Sequence, residues 1–317
     1  MKKVLLLMAL ASLTACSSDQ ADEGPGGRDR LLLVASSGAG FSTRASDNLY
    51  ASGFDGGEQV AVWMKGSGAA AQAVYRIGPP SAGKSSLSAV GTALEYPASA
   101  DETVKVYAVY PSASASVHVV PRDQRTSTSG DAGYKRGDLM YARVTVAPAG
   151  RKSEQTLAFD HLMTKLRIQV TKAAGVSQIS SVTLNGVKRR VTVTPSENGC
   201  TVGTAEAAQL DDDGYSATAA DNNSILVGGE EASANTAQTY TYACVLPAQT
   251  WTDAGFLTIV ADGETYVYKT TKALTGGQLY TVSVNVEPGA EGSAPLWAGP
   301  LATRSDSQSD FISQSNF

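Results

Sequence analysis

The sequence predicts an all-β protein made of two antiparallel β-sandwich domains in tandem. Apolar and polar residues alternate with a period of two in many segments, for example in residues 165–171. This alternation is typical of a strand that buries one of its faces. Asn-Gly and Asp-Gly pairs separate such segments, and they favour the tight turns of β-hairpins. No stretch of the sequence places apolar residues at helical spacing over more than a turn or two.

The predicted strands follow one another along most of the chain. The first is the run LLLVA at residues 31–35, which is continuously apolar and therefore typical of a strand buried on both faces. In residues 165–171, Lys165 lies on the polar face of the alternation, which we expect to face solvent. Other clear strand segments are residues 60–64, 104–110, 139–146 and 280–286.

Two hairpins can be predicted together with their turns. One surrounds Asn185-Gly186 and the other surrounds Asp262-Gly263, and each dipeptide lies between two strand-like segments. Both dipeptides populate the positive-φ positions of type I′ turns, whose twist suits a hairpin. The basic run at residues 188–190 would then lie on the exposed face of the first hairpin.

The N-terminus has the pattern of a bacterial lipoprotein signal. Lys2 and Lys3 precede an apolar run at residues 4–13, which is too short to span a bilayer, and small residues lead to Cys16. We therefore predict that residues 1–15 are a cleaved signal peptide and that Cys16 carries lipid. This arrangement places the mature protein outside the cytoplasm. The alternative is an ordinary secretory signal followed by a chance cysteine.

Composition excludes several classes of function. The net charge is −5 and only 17% of residues are charged, so no basic surface for nucleic acid is expected. The two histidines are too few for a His-rich metal site, and we predict neither a metal nor a cofactor. Besides Cys16 the chain has Cys200 and Cys244. An oxidising compartment permits a disulfide between them, and two separate thiols in the core are the equal alternative.

One enzyme motif matches in its letters. Residues 78–85 read GPPSAGKS, which is the pattern of a phosphate-binding loop. That chemistry needs backbone N–H groups that converge at the start of a helix. Pro79 and Pro80 remove two such donors, and the residues after Ser85 show no helical face. We therefore interpret this segment as a surface loop and predict that the protein is not an enzyme.

Several short segments, taken together and in order, resemble the fimbrillin (Mfa-like, FimA-like) family of Bacteroidetes type V pilins and adhesins. The resemblance extends over residues 1–288. The segments that carry it are LTAC at 13–16, STRA at 42–45, FDGGEQVAV at 54–62, DLMYA at 138–142, LAFDHLMTKL at 157–166, YACVLPAQ at 242–249 and GGQLY at 276–280.

The resemblance implies two transthyretin-like β-sandwich domains and adds detail to the domain plan. Residues 16–44 would form a lipidated tether, a first strand and a cleavage loop. The N-terminal sandwich would occupy residues 45–177 and the C-terminal sandwich residues 178–288, since the strand pattern is interrupted near this boundary. Residues 289–317 would form a tail.

The resemblance also implies a maturation mechanism. An Arg-specific protease would cut between Arg44 and Ala45, and the first strand would be lost. A strand from another subunit would then fill the groove that opens. Arg28 and Arg30 are rival cleavage sites, but a cut there would leave the strand attached. The strand predicted to be displaced consists of Leu31, Leu32, Leu33, Val34 and Ala35.

The expected partners follow from this mechanism. They are other pilin subunits, the Arg-specific protease, the outer membrane through lipid, and a receptor on a host or bacterial surface. The protein would be lipid-anchored and surface-exposed on the cell outer membrane, and it would enter the fimbrium after processing. The alternative is a surface lipoprotein that binds glycan or protein and never polymerises. Its candidate aromatic residues are Trp63, Trp251 and Trp297.

Overall fold

The computed structural model describes residues 29–37, 54–125, 133–209, 223–229, 238–252, 254–289 and 295–302. These residues form nineteen strands, one short α-helix, α1 (Gly133–Arg136), and two 3₁₀ helices of three residues each, so the predicted all-β class is confirmed. In chain order the strands are β1 (Leu33–Ser37), β2 (Gln59–Lys65), β3 (Ala71–Ile77), β4 (Ser85–Ala89), β5 (Val104–Tyr110), β6 (Val117–Val119), β7 (Asp123–Gln124), β8 (Met140–Val146), β9 (Gln155–His161), β10 (Thr164–Lys172), β11 (Ile179–Asn185), β12 (Arg190–Ser196), β13 (Gly199–Val202), β14 (Ser224–Gly229), β15 (Thr239–Leu246), β16 (Ala254–Ala261), β17 (Glu264–Thr270), β18 (Gln278–Val286) and β19 (Leu296–Ala302).

The N-terminal strands form a closed barrel in the order β1-β4-β3-β2-β5-β8-β9. Strand β1 pairs antiparallel with β4 and parallel with β9, and it thereby closes the barrel. Alternate residues point inward, which explains the period of two in the sequence. The buried interior includes Val60, Val62, Val106, Leu157 and Phe159.

The C-terminal strands form a second sheet in the order β17-β16-β11-β14-β15-β10-β18-β19. Its inner strand β10 pairs antiparallel with β15 and parallel with β18. Leu166, Ile168 and Val170 of β10 are fully buried, as the alternation predicts. Strand β10 thus belongs to the second sheet by hydrogen bonding, and the domain division at residues 177 and 178 stays a prediction.

The two predicted hairpins have different outcomes. Strands β16 and β17 pair directly around Asp262-Gly263, both of which have positive φ, so this hairpin is confirmed. The hairpin around Asn185-Gly186 is wrong. A turn is present, with Gly186 at φ +63, but β11 pairs with β14 and β16, whereas β12 pairs with β13 and β6.

Buried contacts explain why the chain leaves the sheet after Gly186. The Val187 N–H donates to the Asn223 carbonyl oxygen, and Val187 is fully buried. Arg189 is also fully buried, and its Nη1 donates to the Val120 carbonyl oxygen at 2.7 Å. The prediction that this basic run is exposed is therefore wrong for Arg189, because its guanidinium joins two parts of the chain inside the protein.

A short segment of the N-terminal half is built into the C-terminal sheets. Strand β6 pairs with β12, and β7 pairs parallel with β14. The fully buried Gln124 of β7 acts as a backbone partner for β15. Its Nε2 donates to the Val245 carbonyl oxygen, and its Oε1 accepts from the Val245 N–H, each at 2.9 Å. These bonds tie the two halves together without relying on the connecting chain alone.

The turn of the β12–β13 hairpin rests on the outside of the barrel. The Lys65 Nζ lies 2.8 Å from Glu197 Oε1, and the Tyr141 hydroxyl donates to the Ser196 carbonyl oxygen at 2.6 Å. Beside them, the rings of Trp63 and Tyr107 stack with centroids 5.4 Å apart. The outer face of the barrel is therefore an internal contact surface at this point.

Part of the predicted tail is ordered as an edge strand. Strand β19 pairs antiparallel with β18, with a register shift between Leu279 and Thr281. Residues 303–317 lie outside the described residues. Among the helical residues that the structure describes, none forms a segment with the length and apolar character needed to cross a membrane.

Candidate functional site: the β1 groove

Strand β1 is part of the barrel core. Leu31, Leu33 and Ala35 point inward and are almost completely buried against Leu87 and Phe159. Burial of each leucine side chain contributes about 1.5–3 kcal/mol. We call the space that β1 and its preceding residues 29–32 occupy the β1 groove, and we define its walls as β4, β9 and residues 94–96.

The predicted first strand is present, but its bounds differ. Pairing in β1 starts at Leu33 and continues to Ser37, whereas the sequence predicted residues 31–35. The expectation of burial on both faces holds for Val34, which is 5% exposed, but Leu32 is 50% exposed. Leu32 lies where β1 has not yet begun to pair with β4.

The backbone of β1 is bonded on both sides. Five of its residues are in parallel register with β9, and three are in antiparallel register with β4. Before the strand, the Leu31 N–H donates to the Leu94 carbonyl oxygen at 3.0 Å, and the Tyr96 N–H donates to the Asp29 carbonyl oxygen at 3.0 Å. Loss of this segment would expose unpaired backbone groups on both walls of the groove as well as apolar side chains.

A cavity of about 520 Å³ lies beside the N-terminal end of this segment. Leucine and alanine side chains form its apolar part, and Arg30 and Glu95 lie at its polar part. The other lining residues are Leu31, Leu32, Tyr75, Leu87, Ala89, Gly91, Thr92 and Ala93.

Several predicted site residues lie outside the described residues. These are Cys16, Arg44 and Ala45. In the sequence Arg44 follows the end of β1 and precedes Phe54, where the description of the chain resumes. Lipidation at Cys16 and cleavage after Arg44 therefore stay predictions.

The two remaining cysteines are free thiols in the structure. Cys200 lies half-buried on β13, and Cys244 lies fully buried on β15. Burial raises the pKa of the Cys200 thiol to about 11 and raises that of Cys244 as well. Both thiols are thus protonated at neutral pH, and a disulfide between them in the exported protein stays a prediction.

The tryptophans that are candidates for glycan binding in the alternative function are engaged in packing. Trp251 is buried, and its Nε1 donates to the Asn185 carbonyl oxygen at 2.8 Å. Trp63 stacks on Tyr107, and Trp297 packs on Phe256 with ring centroids 5.5 Å apart. The structure therefore uses these rings mainly as core and junction contacts.

The segment that matches a phosphate-binding loop is the turn between β3 and β4. Ala82 and Gly83 have positive φ, and Ser85 begins a strand where the motif would need a helix. The interpretation of this segment as a loop is confirmed. In the part of the chain that the structure describes, no group of three or more His, Cys, Asp or Glu side chains could hold a metal ion.

A buried polar cluster at the junction of the two halves was missed by the sequence analysis. His161 Nδ1 lies 2.7 Å from Asp138 Oδ2, and both side chains are largely buried. His118 Nε2 donates to the Gly137 carbonyl oxygen at 2.9 Å, and in this tautomer of the neutral ring Nδ1 accepts from the Ser114 hydroxyl at 2.8 Å. The only two histidines of the chain therefore contact two consecutive residues, Gly137 and Asp138. Burial lowers the pKa of His118.

Lys165 completes this cluster and contradicts the prediction that it faces solvent. It is 1% exposed, and its Nζ lies 5.3 Å from the centre of the Tyr134 ring. Burial lowers its pKa to about 7, and the charge of Asp138 offsets part of that shift. The alternation of apolar and polar residues in β10 could not predict this burial. The residues that surround Lys165 are Tyr134 of α1 and Asp138 of the loop before β8, and neither is part of that strand.

Comparison with known proteins identifies the family of this chain. The sequence profile of the fimbrillin-like family matches residues 43–296. The chain belongs to this family. No curated protein matches the chain.

Solved structures of the same fold support the architecture. A candidate cell adhesion protein of Bacteroides uniformis is 17% identical, with a TM-score of 0.56, and the match covers 85% of this chain and 97% of that one. A second such protein, from Bacteroides ovatus, is 16% identical with a TM-score of 0.57, and the match covers 86% of this fimbrillin-like chain and 96% of the other. At these identities the likeness shows the fold alone.

Proposed function

We propose that this fimbrillin-like chain is a pilus subunit or adhesin that is exported as a lipoprotein, matured by Arg-specific cleavage and polymerised by strand exchange. Its family membership supports the fimbrial role and an association with other pilin subunits. The observation that carries the exchange mechanism is the position of β1, which closes the barrel from the N-terminal end of the chain. The role is structural and adhesive, and no catalytic step is part of it.

The first stage is attachment to the membrane. Lipid on Cys16, followed by the polar residues 17–28, would hold the barrel near the outer membrane. Buried acyl chains contribute about 0.8 kcal/mol per CH₂ group, so two or more chains anchor a domain stably. The protein then remains at the cell surface until it is cut.

The second stage is cleavage after Arg44. A cut there separates all of β1 from the rest of the barrel, because β1 ends at Ser37. Arg30 is a poorer substrate, since its backbone is held in a β-bridge with Glu95 and a protease must bind an extended, accessible segment. The family match also begins at Thr43, one residue before Arg44, which supports a separable N-terminal segment.

The third stage is replacement of β1. An incoming strand would run parallel to β9 and antiparallel to β4, as β1 does. It would place apolar side chains at the positions of Leu31 and Leu33 and a small one at Ala35, because these positions point into the barrel core. Each subunit would then be completed by its neighbour in the fibre.

A processing experiment tests this proposal. The purified lipid-free chain is treated with an Arg-specific protease, and its N-terminus and oligomeric state are followed by mass spectrometry and size-exclusion chromatography. We expect a new N-terminus at Ala45, loss of the β1 segment and formation of oligomers. The variant Arg44→Lys keeps the charge and should stay uncut and monomeric. A chain that is cut at Ala45, loses β1 and stays monomeric would contradict the proposal.

The alternative is a surface lipoprotein of the same fold that binds glycan or protein without polymerising. One observation favours it: the barrel is fully closed with β1 in place. This function predicts that a lipidated N-terminus at Cys16 persists in the mature protein, whereas the polymerising function predicts that it is lost.

A further inference from the structure

The cavity beside the N-terminal end of the β1 groove has a structural origin. Strand β1 pairs with β4 only from Leu33 onward. Before that point the chain bonds to residues 94–96 instead, through the Leu31 N–H and the Leu94 carbonyl oxygen. The end of β4 and residues 94–96 therefore diverge, and the space of about 520 Å³ lies between them.

The side chains present fill this space incompletely. Leu32 lines the cavity and is 50% exposed, although the neighbouring Leu31 and Leu33 are buried. Ala89 and Ala93, which also line the cavity, are small. The Tyr75 hydroxyl already accepts from the Leu94 N–H at 2.9 Å, so it is bound within the wall. The apolar part of this space is open to solvent at Leu32, and it lacks the dispersion contacts that a larger side chain would make.

Aromatic side chains suit such a space. Phe, Tyr and Trp bury about 150–250 Å² each, more than a leucine that remains half exposed can bury. We propose that this cavity is a specificity pocket for an aromatic side chain, carried by the incoming strand at the position that Leu32 occupies. This inference rests on the strand exchange described above, and it specifies the chemistry of the partner strand.

The pocket would also give the exchange a direction. Before cleavage β1 is held at a high effective concentration by its covalent link to the barrel. After cleavage it competes on affinity alone. A strand that repeats its backbone bonds and also fills the cavity binds more tightly than β1 does, so replacement is favoured.

The test uses the full chain with a recognition site for a sequence-specific protease inserted directly after Arg44. This cut does not depend on the natural processing site. Fluorescent peptides with the sequence of residues 29–37, DRLLLVASS, then compete with the bound β1 segment. Binding to the cut protein is measured by fluorescence anisotropy for the native peptide and for its Leu32→Phe variant.

We expect the Leu32→Phe peptide to bind about tenfold more tightly than the native peptide. The matched control is a Leu33→Phe peptide. Leu33 is 4% exposed and lies beside its register partner Leu87 in the closed core, so an aromatic ring there overpacks the barrel and should bind more weakly than the native peptide. In a cut protein with Ala93→Leu, which narrows the cavity, the ratio of the two affinities should fall toward one.

The outcomes separate the pocket from the exchange mechanism. If the native peptide binds and the Leu32→Phe peptide binds no more tightly, the specificity pocket is wrong and strand exchange stands. If the Leu33→Phe peptide gains as much as the Leu32→Phe peptide, the preference is general hydrophobicity and the pocket is wrong. If no peptide enters the cut protein, strand exchange itself is contradicted, and the inference fails with it.

Discussion

The two outermost strands of the described chain, β1 and β19, are held in very different ways. Strand β1 has a bonded neighbour on each side and supplies Leu33 and Ala35 to the barrel core. Strand β19 has one bonded neighbour, β18, and its Leu296 is 73% exposed. Removal of β1 would open the barrel core, whereas removal of β19 would uncover the edge of β18 and the contact between Trp297 and Phe256. The difference teaches that enclosure of a strand, and not its closeness to a chain end, decides how much of the core its removal would expose.

The largest expected effect comes from truncation inside β1. Leu33→Ala should lower the free energy of unfolding by about 2–5 kcal/mol, because it leaves a cavity in the closed barrel. Urea unfolding followed by tyrosine and tryptophan fluorescence measures this change. The neighbouring Leu32→Ala serves as control and should cost clearly less, since Leu32 is half exposed. If the two variants lost the same free energy of unfolding, β1 would not be an enclosed strand, and the contrast with β19 would be wrong.

A pH titration examines the sheet that carries β19. Lys165 is the second residue of β10, and β10 pairs directly with β18. In the folded protein its pKa is lowered to about 7 from the ordinary lysine pKa of 10.5, so between these two pH values the unfolded chain binds a proton that the folded protein does not. Stability contributed by this group therefore rises with pH in that window and is lost as pH falls through 7.

The measurement compares the wild type with Lys165→Met. Between pH 7 and pH 8.5 the free energy of unfolding of the wild type should rise by about 1–2 kcal/mol relative to the variant. Lys152→Met, at an exposed position, should leave the wild-type slope unchanged. Parallel pH profiles for the wild type and Lys165→Met would show that Lys165 is not buried as described.

A smaller effect is expected where β19 covers the second sheet. Trp297 is partly buried against Phe256. Trp297→Ala should lower the free energy of unfolding by about 1–2 kcal/mol, less than a fully buried tryptophan would, and the barrel should remain closed. Hydrogen exchange followed by mass spectrometry should show faster exchange in β18 and unchanged protection in β1. Faster exchange in β1 would mean that the two strands are coupled.

The smallest effect is expected at the outer side of β19. Leu296→Ala should change the free energy of unfolding by less than about 0.5 kcal/mol, because the side chain is mostly in solvent. Thermal unfolding of this variant beside Leu33→Ala compares the two terminal strands directly. A loss at Leu296 close to that at Leu33 would show that β19 is as enclosed as β1.

Local sequence signals predicted local structure well. Asp262-Gly263 fixes its hairpin because the turn and both strands are contiguous in the chain. Asn185-Gly186 also forms a turn, but β11 pairs with β14 and β16, and β12 pairs with β13 and the distant β6, so the two flanking strands do not pair with each other. A dipeptide encodes the turn and carries no information about those partners, so the predicted pairing failed.

The charge of a side chain was a poor predictor of its exposure where contacts between distant parts of the chain bury it. Lys165 and Arg189 read as solvent-facing, yet Tyr134 and Asp138 surround one and the Val120 carbonyl group binds the other. At the candidate site, the apolar run at residues 31–35 predicted a buried first strand. The groove that this strand occupies lies between β4 and β9 of the barrel. The cavity could not be predicted, because it arises from the divergence of β4 and residues 94–96.

The central claim is that the mature protein lacks its first strand. The most direct test is intact mass and N-terminal sequencing of the protein purified from its native cell surface. The account predicts an N-terminus at Ala45 and no β1 segment bound to the protein. A lipidated N-terminus at Cys16, with β1 still in the barrel, would contradict it.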